Sequence, residues 1–272
     1  MNHDEIILAL IVGKNFELDT SQRFDCPFCN HKNTLSISKN YNGILWFCFH
    51  ADCQSSGHIF TEPTSSEIIE YVKQQESSAQ TEFQIPAYFL IGTNRYTTLF
   101  LESYEIKAAY QDKRIEVYFD VKEQRQVFLL YGLTGTCLGA IGRSYTHKPK
   151  WKFYKSGEEN KVPLIVPKYG TAARPYYKIN EEKVGVIVED AISATKVSSI
   201  YNGIAILGTY LSSAYLPYFL LFDRLYVALD ADATDKAIKM QKYLNAFRST
   251  KIIQLKDDIK DMSTDAIKGL FL

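Results

Sequence analysis

Residues 184–190 read VGVIVED and residues 224–232 read RLYVALDAD. Each is a short run of apolar residues that ends on carboxylates, and the chain around them keeps one rhythm. AISATKVSSIY (191–201) has a helical pattern, GIAILGT (203–209) is a second strand and LSSAYLPYFLLF (211–222) a second helix. ATDKAIKMQKYLNAF (233–247) is strongly helical, and KIIQLKD (251–257) makes a fourth strand. Strands this apolar have no face to give to water, so both faces must be covered. The intervening helices supply that cover, which predicts an α/β fold with a parallel sheet.

In an open sheet of this kind, ligands bind outside the carboxyl ends of the strands. Three acidic groups fall there: Glu189, the pair Asp230 and Asp232, and the run Asp257, Asp258 and Asp261. On an extended strand end, alternation of side chains would turn both carboxylates of Asp-x-Asp to one side. Hard oxygen ligands suit Mg²⁺ or Mn²⁺ held against phosphates, and carboxylates crowded together repel unless a cation lies among them. Each group alone has a plain alternative; Asp232, for instance, could cap the following helix. Their order on successive strand–helix units is what predicts a metal site.

Upstream the texture differs. Residues 98–109 (TLFLESYEIKAA) read as a helix, and RIEVYFDV, QVFLLYGL and TCLGAIGRSY as antiparallel strands separated by turns. Cys137, in the last of these, reads as a small buried apolar residue. Residues 143–168 then hold Arg143, Lys148, Lys150, Lys152, Lys155, Lys161 and Lys168 against Glu158 and Glu159. Lys+Arg and Asp+Glu both total 31, so a local basic patch is hidden in a neutral chain. Neutrality excludes a uniformly basic nucleic-acid binder, not a basic groove beside an acidic site.

Four of the five cysteines lie between residues 26 and 53, as Cys26-Pro-Phe-Cys29 and Cys48-Phe-His-Ala-Asp-Cys53. Two short loops, each offering two thiolates, match what tetrahedral Zn²⁺ needs. Between them LSIS and ILWF flank Asn40, Asn42 and Gly43, a hairpin signal. Hairpin plus knuckles predicts a small zinc ribbon with ligands Cys26, Cys29, Cys48 and Cys53, with His50 as a possible replacement for Cys48 or Cys53. Trp46, with Phe28, Phe47, Phe49, Lys32, Lys39 and His58, would offer stacking rings among cations to a single strand; the alternative, that the aromatics are the ribbon's own core, applies to about half of them.

Thr64 and Glu67 form a capping-box pattern for a helix over 65–75, and a Gln/Ser/Glu-rich stretch over 74–84 reads as linker. The expected domains are a ribbon at 1–62, a linker at 63–84, a basic mixed α+β subdomain at 85–182 and a metal-binding α/β subdomain at 183–272. The acidic, polar N-terminus lacks a secretory leader, and no apolar run is long enough to span a membrane. The expectation is a cytoplasmic protein.

Strand-Glu, helix, strand, helix, strand-DxD resembles the TOPRIM module of bacterial primases, topoisomerases and some nucleases. A zinc ribbon, a segment ending in Gly142-Arg143 and a basic aromatic stretch, then TOPRIM, together resemble the bacterial-type (DnaG-like) DNA primases and their bacteriophage relatives, over about residues 20–262. The resemblance implies a metal-dependent enzyme that copies single-stranded DNA into short RNA primers from nucleoside triphosphates, with a separate replicative helicase as partner. It implies that Glu189, Asp230, Asp232, Asp258 and Asp261 are catalytic, that Arg143, Lys148, Lys150, Lys152 and Lys155 hold template and nucleotide phosphates, and, for a phage protein, a bacterial host cytoplasm. LKDDIKDM matches the family's closing D-x-x-D loosely, so the third carboxylate stays open among Asp257, Asp258 and Asp261. No G-x4-G-K-[ST] occurs, which implies no fused helicase. The chain closes soon after the module, so a helicase would have to engage some other surface. A TOPRIM nuclease or strand-cleaving enzyme, and a non-catalytic zinc-ribbon accessory protein that binds single-stranded DNA, are the competing expectations.

Overall fold

The computed structural model describes every residue except 1, 15, 17, 19, 41–42, 54, 62–63, 65–66, 68–69, 71–81, 92–93, 145, 156–161, 168–177, 180, 209 and 272. The chain divides into two compact units, Met1–Tyr71 and Val72–Leu272.

The first unit begins with α1 (His3–Ile11), whose first turn is closed by Asn2 and Glu5 in a reciprocal capping box. An antiparallel sheet follows: β1 (Thr20–Phe24), β2 (Leu35–Asn40), β3 (Gly43–Cys48) and β4 (Ser56–Ile59), in that spatial order. The β2–β3 hairpin runs in register from Leu35 opposite Cys48 to Asn40 opposite Gly43. Its buried face joins Ile7 of α1 to Leu35, Ile37, Ile44 and Trp46, with Cys26 and Cys48 in the same cluster. Thr64 and Glu67 make the expected reciprocal bonds, Glu67 N–H to Thr64 Oγ1 at 3.2 Å and Thr64 N–H to Glu67 Oε2 at 2.9 Å. Glu67 and Glu70 are helical, and the other residues of the helix expected over 65–75, with most of the expected linker, lie outside the described residues.

The second unit contains two sheets. The first is an antiparallel meander of β5 (Phe89–Ile91), β6 (Val117–Asp120), β7 (Arg125–Tyr131), β8 (Cys137–Arg143) and β9 (Trp151–Lys155). Between β5 and β6 stand α2 (Arg95–Ser103) and α3 (Lys107–Gln111). The single helix expected over 98–109 is therefore two. Glu105 takes φ +56°, a left-handed conformation that ends a helix, and the chain turns there. Cys137 is buried on β8.

The second sheet is built from β10 (Leu164–Val166), β11 (Lys178–Ile179), β12 (Glu182–Val188), β13 (Asn202–Ala205), β14 (Arg224–Val227) and β15 (Ser249–Ile252). Its order is β10-β13-β12-β14-β15, with β11 beside β12. Strands β12 to β15 pair in parallel, whereas β10 and β11 pair antiparallel with β13 and β12. Helices α4 (Ala191–Val197), α5 (Leu216–Phe219), α6 (Thr234–Leu244) and α7 (Thr264–Gly269) accompany it. The burial predicted for apolar strands is met: Val186, Ile187, Val188, Ile204, Leu225 and Val227 are at most 1% exposed. At Gly203 the sheet meets α4 so closely that a Cβ would stand 2.0 Å from the Ala194 carbonyl oxygen. The helix expected over 211–222 shrinks to a 3₁₀ turn and the single turn α5, and β15 begins two residues earlier than expected. No helix among the described residues is long and apolar enough to cross a membrane.

Candidate functional site

In the first unit the four cysteines converge. Cys26 Sγ lies 3.8 Å from Cys53 Sγ, Cys29 Sγ lies 3.8 Å from Cys48 Sγ, and all four sulfurs fall within 4.8 Å of one another. A tetrahedral ion with metal–sulfur bonds of about 2.3 Å sets its ligands about 3.8 Å apart, so the cluster has the spacing of a zinc site. Burial pushes the Cys26 thiol up to about 12, while hydrogen bonds from Ser55 draw Cys53 down to about 6. The cysteine set is complete without His50. That ring stacks on His31 with centroids 3.5 Å apart, its Nδ1 is buried without a hydrogen-bond partner, and Cys29, His31 and His50 also converge within 4.8 Å.

Trp46 corrects one expectation. It is 3% exposed and packs on Phe28, with Gly57 against its indole. The reason is visible in the spacing: on a strand, Trp46 shares a face with Cys48, and Cys48 points into the four-cysteine cluster. The neighbours on the other face, Phe47 and Phe49, are 41% and 58% exposed, and the Arg23 guanidinium lies 4.0 Å from the Phe49 ring. They, not Trp46, are exposed rings.

In the second unit the carboxyl ends of the parallel strands line a cleft of about 230 Å³. Glu189 and Asp190 follow β12, Leu207 and Gly208 follow β13, Asp230 follows β14, and Lys260 stands beyond β15. Arg143, Lys150, Trp151 and Phe153 of the meander close the opposite wall. The turn after β13 needs left-handed backbone at Leu207 (φ +59°) and Gly208 (φ +148°), and the Gly208 N–H binds the Glu189 carbonyl at 3.1 Å. A leucine held at positive φ is strain kept beside the cleft.

Glu189 Oε1 accepts the Asp230 N–H at 3.3 Å. Burial first, then the charge of Asp230 with those of Asp232 and Asp190, raises the Glu189 carboxyl to about 7. Burial also raises Asp230, against the opposing pull of Lys260. Asp232 is exposed on a 3₁₀ turn, Ala231–Ala233, and not on an extended strand end, because β14 has already finished at Val227. The alternation argument for Asp-x-Asp therefore does not apply here. The helix-cap alternative fails too, since α6 has no side-chain cap. No three carboxylates of the cleft have oxygens all within 4.8 Å of one another among the described residues.

What lies between the carboxylates is a residue that motif reading passed over. Lys260 Nζ contacts Asp258, comes 3.6 Å from Asp230 and 4.0 Å from Asp190, and its side chain is 14% exposed. Asp190 was passed over too. Its Oδ1 caps α4 by accepting the Ile192 and Ser193 N–H groups at 2.8 and 3.0 Å, which leaves Oδ2 facing Lys260. Of the run 257–261, Asp258 is the aspartate this lysine ties to Asp230; Asp257 and Asp261 are exposed.

On the meander wall, Arg143 and Trp151 are register partners at the mouth of the β8–β9 hairpin. Arg143 is 5% exposed, donates from Nη2 to the Tyr104 hydroxyl at 2.8 Å and lies 5.2 Å from the Trp151 ring. Its Nε–H is buried and has no protein partner, the kind of vacancy that a buried polar group rarely keeps without a ligand or water. Lys150 is placed by a buried neighbour: Arg125 Nη1 donates to the Pro149 and Lys150 carbonyls at 2.8 and 3.3 Å. Lys148 is exposed outside this wall, Lys152 is engaged by Glu123, and the side chain of Lys155, like Lys161 and Lys168, lies outside the described residues. Arg143 also floors a second hollow, about 640 Å³, walled by Tyr96, Leu99, Phe119 and Val121, where the Tyr96 and Phe119 rings stack 5.0 Å apart.

Neither a family model nor a curated protein sequence matches the chain. Solved structures do. The chain is similar to the E. coli primase catalytic core, with a TM-score of 0.50 at 13% identity over 75% of this chain and 78% of that one. It is also similar to the Aquifex aeolicus primase comprising zinc-binding and RNA polymerase domains, at TM-score 0.49 and 16% identity over 97% and 82% of the two chains. A third likeness is the primase fragment of the bacteriophage T7 primase-helicase, at 0.47 and 16% over 92% and 96%. The chain has a primase-like fold: a four-cysteine antiparallel sheet, a second antiparallel sheet and a TOPRIM-like mixed sheet with helices.

Proposed function

We propose that the chain is a DNA primase, which joins nucleoside triphosphates into a short RNA primer along a single-stranded DNA template and releases pyrophosphate. One observation carries this reading: a single cleft sets Glu189, Asp190 and Asp230 against Arg143 and Lys150. A triphosphate needs both walls, a cationic one for its own charge and an acidic one for the ions that travel with it.

The donor set fits Mg²⁺ or Mn²⁺. Mg²⁺ keeps several waters and is bound through one or two carboxylates plus substrate phosphates, so widely spaced oxygens suit it better than a tight cage would. Glu189, Asp230 and, from its exposed turn, Asp232 would hold it; Asp258 is the member of the closing run we assign to the site. Bound there, the ion would stabilise charge developing as a 3′-hydroxyl displaces pyrophosphate from the α-phosphorus. Arg143 supplies an unsatisfied Nε–H for a phosphate oxygen, with its guanidinium already oriented by Tyr104 and Trp151. Lys150, held by Arg125, adds a second positive charge to the same wall. The hollow beyond Arg143 gives unstacked template bases a ring to lie on at the exposed Tyr96, which the buried Phe119 backs. Zn²⁺ on Cys26, Cys29, Cys48 and Cys53 would hold the first unit together, with Phe47 and Phe49 turned toward template. A separate replicative helicase is the partner we expect.

The test is primer synthesis by the zinc-loaded chain from labelled nucleoside triphosphates on single-stranded DNA with Mn²⁺ or Mg²⁺. Asp230→Ala should abolish RNA product, and Asp232→Ala should reduce it strongly. Product unchanged in Asp230→Ala would end the assignment. Loss of labelled DNA without incorporation would favour a nuclease, and tight strand binding without turnover an accessory protein.

A further inference from the structure

Lysines are usually surface residues, and an exposed ion pair contributes under about 1 kcal/mol. Lys260 is placed differently. Its ammonium reaches carboxylates from three separate elements: the cap of α4 (Asp190), the turn after β14 (Asp230) and its own turn (Asp258). The backbone beneath it is pinned as well. Lys196 of α4, itself 6% exposed, donates from Nζ to the Lys260 carbonyl at 3.1 Å and also to the Met262 carbonyl. Ile259 beside it is 1% exposed, and the Asp261 N–H closes the turn on the Asp258 carbonyl at 2.9 Å. Such fixing leaves this ammonium little freedom to swing into water.

Building on the nucleotidyl-transfer reading, we propose that the Lys260 ammonium is a resident cation of the cleft, neutralising Asp190, Asp230 and Asp258 where a second divalent ion would otherwise bind. The cleft then takes one exchangeable divalent ion, on the Glu189 side of Asp230. Its geometry agrees with that division. Asp190 has one oxygen committed to the α4 cap and its other oxygen turned to Lys260, so it has none left for a metal. Asp230 is shared, with its backbone N–H toward Glu189 and its Oδ2 toward Lys260. A fixed ammonium cannot be diluted away or exchanged, so the cleft would keep part of its charge balance when divalent ions are scarce.

The experiment is a Mn²⁺ titration of the full, zinc-loaded chain, followed by electron paramagnetic resonance, with Asp230→Asn as control. We expect one bound Mn²⁺ per chain, removed by Asp230→Asn. Lys260→Met, which keeps the stem and removes the charge, should bind two ions, the first at least about tenfold more tightly because a repelling cation is gone. Lys260→Arg should still bind one. Circular dichroism of each variant shows whether it is folded, and Lys260→Gln, which also removes the charge and carries the same expectation of two ions, takes over the test should Lys260→Met fail to fold. Two ions on the wild-type chain, or an unchanged count and affinity in folded Lys260→Met, would overturn the assignment of Lys260 alone. A wild-type chain binding no Mn²⁺ sensitive to Asp230→Asn would overturn the nucleotidyl-transfer reading along with it.

Discussion

Thiols 27 positions apart in the first unit come within 3.8 Å of one another, whereas in the second unit the carboxylates of successive strand ends stay apart, with an ammonium between three of them. Both clusters gather like charges, and they manage the repulsion in opposite ways. Soft thiolates at tetrahedral spacing form a closed site in which every ligand position is already filled. Hard carboxylates around Lys260 form an open one, with a cationic wall opposite and room for a phosphate. The first arrangement suits a metal that is part of the fold. The second suits an ion that comes and goes with substrate.

The largest effect that would test this contrast is loss of the ribbon's metal. Structural zinc is worth roughly 10–16 kcal/mol to small zinc folds, more than the few apolar side chains of that unit can replace. Cys48→Ala, or a strong chelator, should expose residues 1–71 to proteolysis and release zinc measurable by atomic absorption. Removing divalent ions with a mild chelator that spares zinc should leave both units folded. If Cys48→Ala retains zinc and protease resistance, the ribbon is not the closed site described.

Next comes a pair of glycines. At Gly203→Ala the new Cβ would meet the backbone carbonyl of Ala194 at 2.0 Å, so α4 must lift from the sheet and carry Asp190 with it. Overpacking costs typically 1–3 kcal/mol and more where backbone must move; we expect about 3 kcal/mol in denaturant unfolding, with loss of primer synthesis. At Gly57→Ala the obstacle is the Trp46 ring at 2.5 Å, a side chain able to shift. A smaller loss, confined to the first unit, is expected. Equal costs at the two positions would mean that α4 is less tightly fixed than the cleft requires.

The smallest effect is in pH. The folded Glu189 carboxyl titrates at about 7, above an unfolded glutamate's value of about 4.3. Between those values the folded state binds the extra proton, so the Glu189 contribution to stability is present below about 4.3 and is lost as pH rises toward 7. Divalent ions need the carboxylate, so Mn²⁺ affinity should rise over the same window. Thermal unfolding from pH 5 to 7.5 without divalent ions should show a decline that Glu189→Gln flattens. A wild-type profile identical to that of Glu189→Gln would mean Glu189 is not perturbed.

Much of this is written in local pattern. The spacing of Cys26, Cys29, Cys48 and Cys53 announces the metal cluster because short loops hold their cysteines close whatever the rest of the chain does. The apolar runs at 184–188 and 224–227 announce a buried parallel sheet because period and composition are local properties. Alternation along β3 even contained the placement of Trp46, on the Cys48 face, although the ring was expected outside. Other features carry no such mark. Glu105, where the expected helix 98–109 breaks, is an ordinary residue made to turn by its surroundings. Strand β10 lies too far along the chain from β13 for pattern to reveal the pairing.

Sequence alone thus determined that the apolar runs at 184–188 and 224–227 are buried strands, that four cysteines gather and which charge each segment carries, since these follow from side-chain type and near spacing. Tertiary structure alone decided which charges meet. Lys260 sits in a charge-rich run like many on protein surfaces, and only the parallel order β12-β14-β15, with α4 folded back over β13, brings it against Asp190 and Asp230. Electrostatic energy depends on distance through space, and residues 70 positions apart acquire that distance only when the sheet closes.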